Sequence, residues 1–275
     1  MAARRRLDAE LVRRGIARSR AHAAELIADG RITVNKLKAT KPATNVNPAD
    51  PIEHVGDRHD FVSRGAHKLQ GALEDFSGLG VDARSRACLD AGASTGGFTD
   101  VLLRHGADRV AAVDVGYGQL AWRLRNDERV DVYERTNIRD LTPDRIGGRA
   151  TLTVGDLSFI SLALVLPALS ACTADDGFIL PMVKPQFEVG KEQVGAKGVV
   201  RNPQLRADAV VSVKLAALKL GWHVADVVAS RLPGPAGNVE FFCALQRDIA
   251  GLHDDDVRAR VISASEQLEK QGERS

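Results

Sequence analysis

Asp90-Ala-Gly-Ala-Ser-Thr-Gly-Gly-Phe-Thr99 is the stretch that decides the fold. It follows the apolar run Ala87-Cys-Leu89 and precedes a segment with helical apolar spacing, so it reads as a glycine-rich turn between a strand and a helix. Glycines there let backbone approach a ligand closely. The next apolar run, Val110-Ala-Ala-Val113, ends in Asp114. A carboxylate at that point can accept hydrogen bonds from both hydroxyls of a ribose. Together the two segments describe a nucleoside-bearing ligand across the carboxyl ends of neighbouring strands.

Working outward, strands are expected at 86–91, 109–114, 130–134, 151–156, 177–183, 222–230 and 239–246. Helices are expected at 97–105, 117–126, 160–170 and 204–220. This alternation predicts an α/β fold: a doubly wound, mostly parallel seven-stranded Rossmann-like sheet. A further helix runs through Leu69, Leu73 and Phe76. Before it lies a small α+β segment. A first helix at 7–15 carries Leu7, Leu11 and Val12 and stops at Gly15; a second follows Ser19 with Ala23, Ala24, Leu26 and Ile27. Asp29-Gly30 makes a turn into a strand at 31–35. Residues 40–60 are rich in Pro, Asn and Asp and end in a linker at 57–60. The expected division is therefore 1–60, 61–250, and a polar helical tail at 251–275 with no assigned role.

Composition narrows the classes. Hydrophobic residues at 44% allow a normal core, and no apolar run reaches the ~20 residues of a membrane helix. The basic start Met1–Arg6 leads into an amphipathic segment, unlike a secretion signal, so a cytoplasmic protein is expected. Cys88, Cys172 and Cys243 are far apart with no Cys-x-x-Cys pair, the histidines make no His-x-x-x-His pattern, and no metal site is expected. Net charge is only +2, yet residues 1–48 hold 11 Lys or Arg against 4 Asp or Glu. A basic segment on a mildly acidic body points to a polyanion. Arg6, Arg14, Arg18, Arg20, Lys36 and Lys41 are the candidate phosphate contacts. Aromatics at 4% make charge a better source of affinity than base stacking.

The turn is neither Gly-x-Gly-x-x-Gly nor a phosphate-binding loop, since Ser94 and Thr95 precede Gly96-Gly97 and no Lys follows. Asp90 ahead of it would repel a pyrophosphate but suits an ammonium and a sulfonium, which favours S-adenosylmethionine. Farther on, Val154-Gly-Asp156 and Met182-Val-Lys184 put an acid and a lysine at the ends of central strands. A lysine there needs a partner, and Asp156 is in place to be one.

Residues 63–246 resemble the FtsJ-like ribose 2′-O-methyltransferases. The carrying motifs are Ser63-Arg-Gly-Ala-His-Lys-Leu69, Asp90-Ala-Gly-Ala-Ser-Thr-Gly-Gly-Phe98, Asp114-Val-Gly-Tyr-Gly-Gln-Leu120, Asp156-Leu-Ser-Phe-Ile-Ser161, Val183-Lys-Pro-Gln-Phe-Glu-Val-Gly190 and Pro233-Gly-Pro-Ala-Gly-Asn-Val-Glu240. The chain as a whole resembles the haemolysin-A-like (TlyA) ribosomal RNA methyltransferases. Its first ~50 residues resemble an S4 RNA-binding domain, on Arg6-Leu-Asp-Ala-Glu-Leu-Val-Arg-Arg-Gly15, Ala17-Arg-Ser-Arg20 and Gly30-Arg-Ile-Thr-Val-Asn35. The resemblance implies a catalytic tetrad of Lys68, Asp156, Lys184 and Glu240. It also implies S-adenosylmethionine in a cradle of Asp90, Ala91, Gly92, Ser94, Gly96, Gly97, Phe98, Asp114, Val115 and Asp156. Ribosomal RNA or ribosomal subunits would be the partner, with cytidine as target. In such chemistry Lys184 would either take the hydroxyl proton as a base or, as a cation, steer the hydroxyl.

Three rivals remain at this stage. A nucleobase amino-methyltransferase would carry Asn/Asp-Pro-Pro-Tyr/Phe where this chain has Asp156-Leu-Ser-Phe159, without either proline. A membrane-lytic protein is suggested by the haemolysin name. An RNA-binding assembly factor with a relic pocket is the third.

Overall fold

A computed structural model describes residues 4–17, 19–28, 30–54, 61–195, 198–234 and 236–272; Arg18, Asp29, Pro235 and the linker at 57–60 lie outside these. The chain divides into two compact units, Met1–Asp60 and Phe61–Ser275.

The first unit contains β1 (Arg5–Arg6), α1 (Leu7–Arg13), α2 (Arg20–Ala28), β2 (Ile32–Val34), β3 (Leu37–Lys38), β4 (Asn45–Val46) and β5 (Ile52–His54). β1 pairs antiparallel with β4, and β2 lies between β3 and β5. Asn35 and Lys36 turn β2 into β3 with φ of 53° and 66°, the paired left-handed conformation of a two-residue hairpin turn. Leu7, Leu11, Ala23, Ile27, Ile32 and Val46 form its core.

The second unit contains α3 (Ala66–Asp75), β6 (Ala87–Ala91), α4 (Gly97–Arg104), β7 (Arg109–Val113), α5 (Trp122–Arg125), β8 (Val130–Tyr133), β9 (Ala150–Gly155), α6 (Leu166–Cys172), β10 (Thr173–Val183), α7 (Pro185–Glu188), α8 (Pro203–Leu218), β11 (His223–Ala229), β12 (Phe241–Gln246) and α9 (Asp254–Gly272). The sheet order is β11-β12-β10-β9-β6-β7-β8. β12 is antiparallel to both neighbours, and β10-β9-β6-β7-β8 are parallel. The order reverses at β6, and ligands of such sheets bind at the carboxyl ends beside that reversal.

Strand alternation sorts the core into two layers. Leu89, Ala91, Ile179, Val183, Phe241 and Cys243 face one side, with Leu166, Val210 and Val261 from the helices. Cys88, Val154, Leu180, Met182, Phe242 and Ala244 face the other, against Leu69, Leu73, Val101 and Leu102 of α3 and α4. The even-numbered positions of these central strands thus look toward α3 and α4.

Some expected elements end elsewhere. The helix expected at 117–126 is reduced to α5, because Asp114 and Glu134 accept the N–H groups of Gly116 and Gly118 and hold 116–118 as a turn. The one expected at 160–170 is a short 3-10 turn followed by α6, which has Pro167 in its first turn. β10 starts earlier than expected and contains a register shift between Thr173 and Phe178. The segment expected as a separate polar tail is α9, whose Val257 and Val261 are fully buried in the sheet-domain core. A single apolar stripe on an otherwise charged helix is enough to dock it.

Candidate active site

Alternation along the strands carries Asp156, Lys184 and Glu240 to one place. Asp156 follows β9 in phase with Val154, Lys184 follows β10 in phase with Met182, and Glu240 precedes β12 in phase with Phe242. β10 and β12 register Val183 on Phe241, so Lys184 and Glu240 are the next positions opposite each other. α3 covers that face and supplies Lys68. The contacts follow: Lys68 Nζ meets Glu240 Oε2 at 2.5 Å, and Lys184 Nζ meets Asp156 Oδ1 at 2.6 Å. Both lysines and Glu240 are buried. The directed hydrogen bond of Lys184 goes to Ser158 Oγ at 2.7 Å, while its contact with Asp156 is an ion pair without hydrogen-bond alignment.

Ser158 was not singled out from the sequence, although it lies in the Asp156 motif. Nor was Glu188, which accepts from Ser161 Oγ at 2.7 Å and from Leu162 N at 2.8 Å. Burial pushes the Glu188 carboxyl up, and those two bonds pull the other way. Phe159 and Phe187 pair with ring centroids 5.1 Å apart. The loop after β9 and the turn after β10 are therefore tied at three points, which holds Lys184 in a fixed setting.

The glycine turn lies beside this cluster. Gly92 has φ +89°, and a Cβ there would stand 2.7 Å from the Asp156 carbonyl oxygen, so only glycine lets the turn lie against the β9 loop. Asp90 is fully buried and accepts from Thr99 Oγ1 at 2.7 Å, while its other oxygen, Oδ1, has no partner. Burial pushes the Asp90 carboxyl up to about 7; Asp156 and Asp114 add to the rise and Thr99 opposes it. Three acids around one turn favour a cationic ligand. Asp114 receives Ser94 N at 2.8 Å and Gly116 N at 2.6 Å, one on each oxygen, which orients it and leaves further lone pairs on both. Ala93, Ser94, Asp114, Gln119, Leu120 and Val132 line a pocket over the ends of β7 and β8. An orphaned buried oxygen and an oriented carboxylate, beside a narrow and mostly apolar cleft, fit the cationic end and the ribose of such a cofactor.

Not every expected cradle residue faces that pocket. Phe98 packs on Phe242 with centroids 5.9 Å apart and belongs to the core. Ala91 is fully buried in the opposite layer. Gly97 is needed because the Ala66 backbone nitrogen would lie 2.9 Å from a Cβ there, a packing reason independent of a ligand. Gly96, at φ +94°, meets Leu120 and Leu124 instead. Val115 is exposed next to Asp114.

In the first unit the basic residues fall into distinct settings. Arg14 donates to Glu10, to Pro48 O at 2.8 Å and to Asp50 O at 2.9 Å, so it braces the fold. Arg6 and Arg20 share Asp8, and Lys36 and Lys41 are exposed. Arg13, absent from the sequence-based candidates, is half exposed and held by Glu10.

Residues 61–247 match the family described as FtsJ-like methyltransferase, and residues 5–52 match the S4 domain. The chain belongs to the FtsJ-like methyltransferase family. It is 61% identical over 268 residues to the 16S/23S rRNA (cytidine-2′-O)-methyltransferase TlyA of Mycobacterium tuberculosis (strain ATCC 25618 / H37Rv), covering 96% of this chain and 99% of that one. It is 35% identical to Hemolysin A of Brachyspira hyodysenteriae, over 86% of this chain and 97% of that one. A solved structure from Streptococcus thermophilus that carries a hemolysin name superposes with a TM-score of 0.73 at 34% identity, covering 99% of this chain and 100% of that one. Among the described residues no group of His, Cys, Asp or Glu could hold a metal ion, and no helix is long and apolar enough to cross a membrane.

Proposed function

We propose that the chain transfers a methyl group from S-adenosylmethionine to the ribose 2′-hydroxyl of a cytidine in ribosomal RNA. The observation that carries this is Lys184, held by Asp156 and Ser158 beside the Lys68–Glu240 pair and the acid-rich glycine turn. The name of the 61%-identical Mycobacterium tuberculosis relative supports the same substrate. S-adenosylmethionine supplies an already activated methyl group. The protein's task is positioning and the handling of one proton. Asp114 would hold the two ribose hydroxyls of the cofactor, and Asp90 Oδ1 would face its cationic end. Ser94, Gly92 and the neighbouring turn backbone would close over it.

Lys184 donates one directed hydrogen bond, to Ser158, and is paired in charge with Asp156, so the ammonium would have a further N–H to offer the oxygen of the substrate hydroxyl. In that position it would steer the hydroxyl oxygen toward the methyl carbon and stabilise the partial negative charge that the oxygen gains as its proton leaves. That charge is spent as the O–C bond forms and the S–C bond breaks, its electron pair leaving with the sulfur as a neutral thioether. Glu240 orients Lys68, which supplies a second positive charge. The hydroxyl proton leaves to solvent. Arg6, Arg20, Lys36 and Lys41 would contact phosphates and place the RNA without reading its bases.

The test is transfer from labelled cofactor to isolated ribosomal subunits, followed by digestion to nucleosides. Label on the ribose of cytidine is expected. Label on a base would replace this reading with the amino-methyltransferase one. A pH–rate profile at saturating cofactor separates the two roles of Lys184. A positioned cation gives a flat neutral range, whereas a base gives a rise that disappears in Lys184→Ala.

A further inference from the structure

We infer that Asp8 turns Arg6 and Arg20 into a preset two-pronged clamp for adjacent phosphates of an RNA backbone. This rests on the reading of the first unit as RNA-binding. Asp8 is buried, and its carboxylate takes five N–H contacts. Arg6 gives Nε at 3.1 Å and Nη2 at 2.8 Å, Arg20 gives Nε at 3.3 Å and Nη2 at 3.0 Å, and Ala9 N sits at 2.8 Å. Both arginines therefore use the same edge of the guanidinium, the Nε/Nη2 edge, on one carboxylate. Among the described residues Nη1 of each has no partner, and with the second N–H of Nη2 it makes a fork suited to two phosphate oxygens. The two side chains are 49% and 60% exposed, which leaves room for a phosphate to reach them.

Arg14 shows the alternative outcome. Its Nε goes to Glu10, its Nη1 to Asp50 O and its Nη2 to Pro48 O, which occupies every nitrogen. Asp8 differs because it fixes two long side chains without using their outer ends. An arginine already held in one rotamer loses less freedom when it meets a phosphate. The arginines hold the Asp8 carboxyl well below the usual carboxylate range, so the anchor stays charged at any pH where RNA is folded.

The sign of the effect makes this testable. Removing a negative charge from a basic surface should tighten RNA binding if charge alone matters. The clamp predicts the reverse. With isolated ribosomal subunits as the probe and filter binding as the measurement, Asp8→Asn in the full chain is expected to weaken binding by about tenfold. The amide keeps the acceptor for Ala9 N but loses the ionic hold on both arginines. In an Arg6→Ala/Arg20→Ala background the same change is expected to cause no further loss. Equal or tighter binding by Asp8→Asn overturns the clamp. So does an equal loss in the double-arginine background, because Asp8 would then act only through the fold. If Asp8→Asn unfolds the unit, Asp8→Glu takes its place with the same expectation, since it keeps the charge and shifts the carboxylate by one methylene. Failure of the unsubstituted chain to bind subunits would instead defeat the RNA-binding reading, and the clamp with it.

Discussion

In the first unit, Asp8 and Glu10 are buried while Arg6, Arg13 and Arg20 around them keep about half their surface in solvent. In the sheet domain, Lys68 and Glu240 are both buried, and Lys184 is buried beside a partly covered Asp156. The residue classes and the distances are alike; the burial of the cation differs. A cation with an exposed end remains available to a polyanion and is screened by salt. A cation taken out of water interacts strongly with the few groups around it, which suits the stabilisation of charge at one reacting atom. The predictions below test whether burial is what separates the two.

The largest effect is expected at Lys184. Lys184→Ala should lower kcat by about 10³-fold, with cofactor affinity by calorimetry changed only a few-fold, because the lysine acts on the substrate hydroxyl. A comparable loss of cofactor affinity would show that Lys184 is part of the cradle. Next comes the Lys68–Glu240 pair. Glu240→Ala leaves a buried ammonium without its acid and should lower unfolding free energy by about 3 kcal/mol in denaturant titration. Lys68→Met/Glu240→Leu should recover most of that stability while leaving transfer activity lost. Recovery of activity would remove the pair from the chemistry.

Asp90 departs from these pairs, a fully buried acid with no cation partner among the described residues, and its effects should oppose each other. Its carboxyl is pushed up to about 7 by burial, against an ordinary value of 3.8. The unfolded chain ionises this group first, so its contribution to stability falls as pH rises between those two values and is lowest above them. A cationic cofactor favours the ionised form, so binding should strengthen as pH rises through 7 and should release protons below it. Asp90→Asn is expected to raise stability at pH 8 by on the order of 1–3 kcal/mol and to weaken S-adenosylmethionine about tenfold. Calorimetry in buffers of different ionisation heat checks the proton release. No release at pH 6 would place the cation away from Asp90.

The strand–helix alternation was legible because each strand's apolar residues sort by parity and each helix keeps a 3.6-residue stripe. Asp90 and Asp114 were legible as acids at strand ends. Lys68 and Glu240 were not legible from spacing, being 172 residues apart, and only the motif resemblance brought them together. Phe98 shows a different limit. A phenylalanine after a glycine turn can face a ligand or the core, and Phe242, far along the chain, decides it here. Arg14 and Arg6 look equivalent in sequence. The carbonyls of Pro48 and Asp50 that occupy Arg14 belong to a loop whose path no local pattern reveals. Val257 and Val261 of α9 were overlooked because a polar helix with one narrow apolar stripe reads as a tail.

The smallest effect is expected at Arg231, and it bears most directly on burial. Arg231 meets Glu74 Oε2 at 2.5 Å and Asp75 Oδ1 at 2.6 Å, the same separations as Lys68–Glu240 and Lys184–Asp156. Its side chain is 52% exposed, and its partners lie in the last turn of α3, the helix that carries Lys68. Two acids at a helix C-terminus are disfavoured by the dipole, so the arginine offsets a local cost as well as making an ion pair. Water and salt screen both terms. Arg231→Ala should therefore lower unfolding free energy by about 0.5 kcal/mol at low salt and by less at high salt. Glu240→Ala, at equal distance but in a buried setting, should show several times that loss and little dependence on salt. If the two substitutions have the same effect on stability, contact distance rather than burial governs these pairs, and the contrast between the two units loses its physical basis.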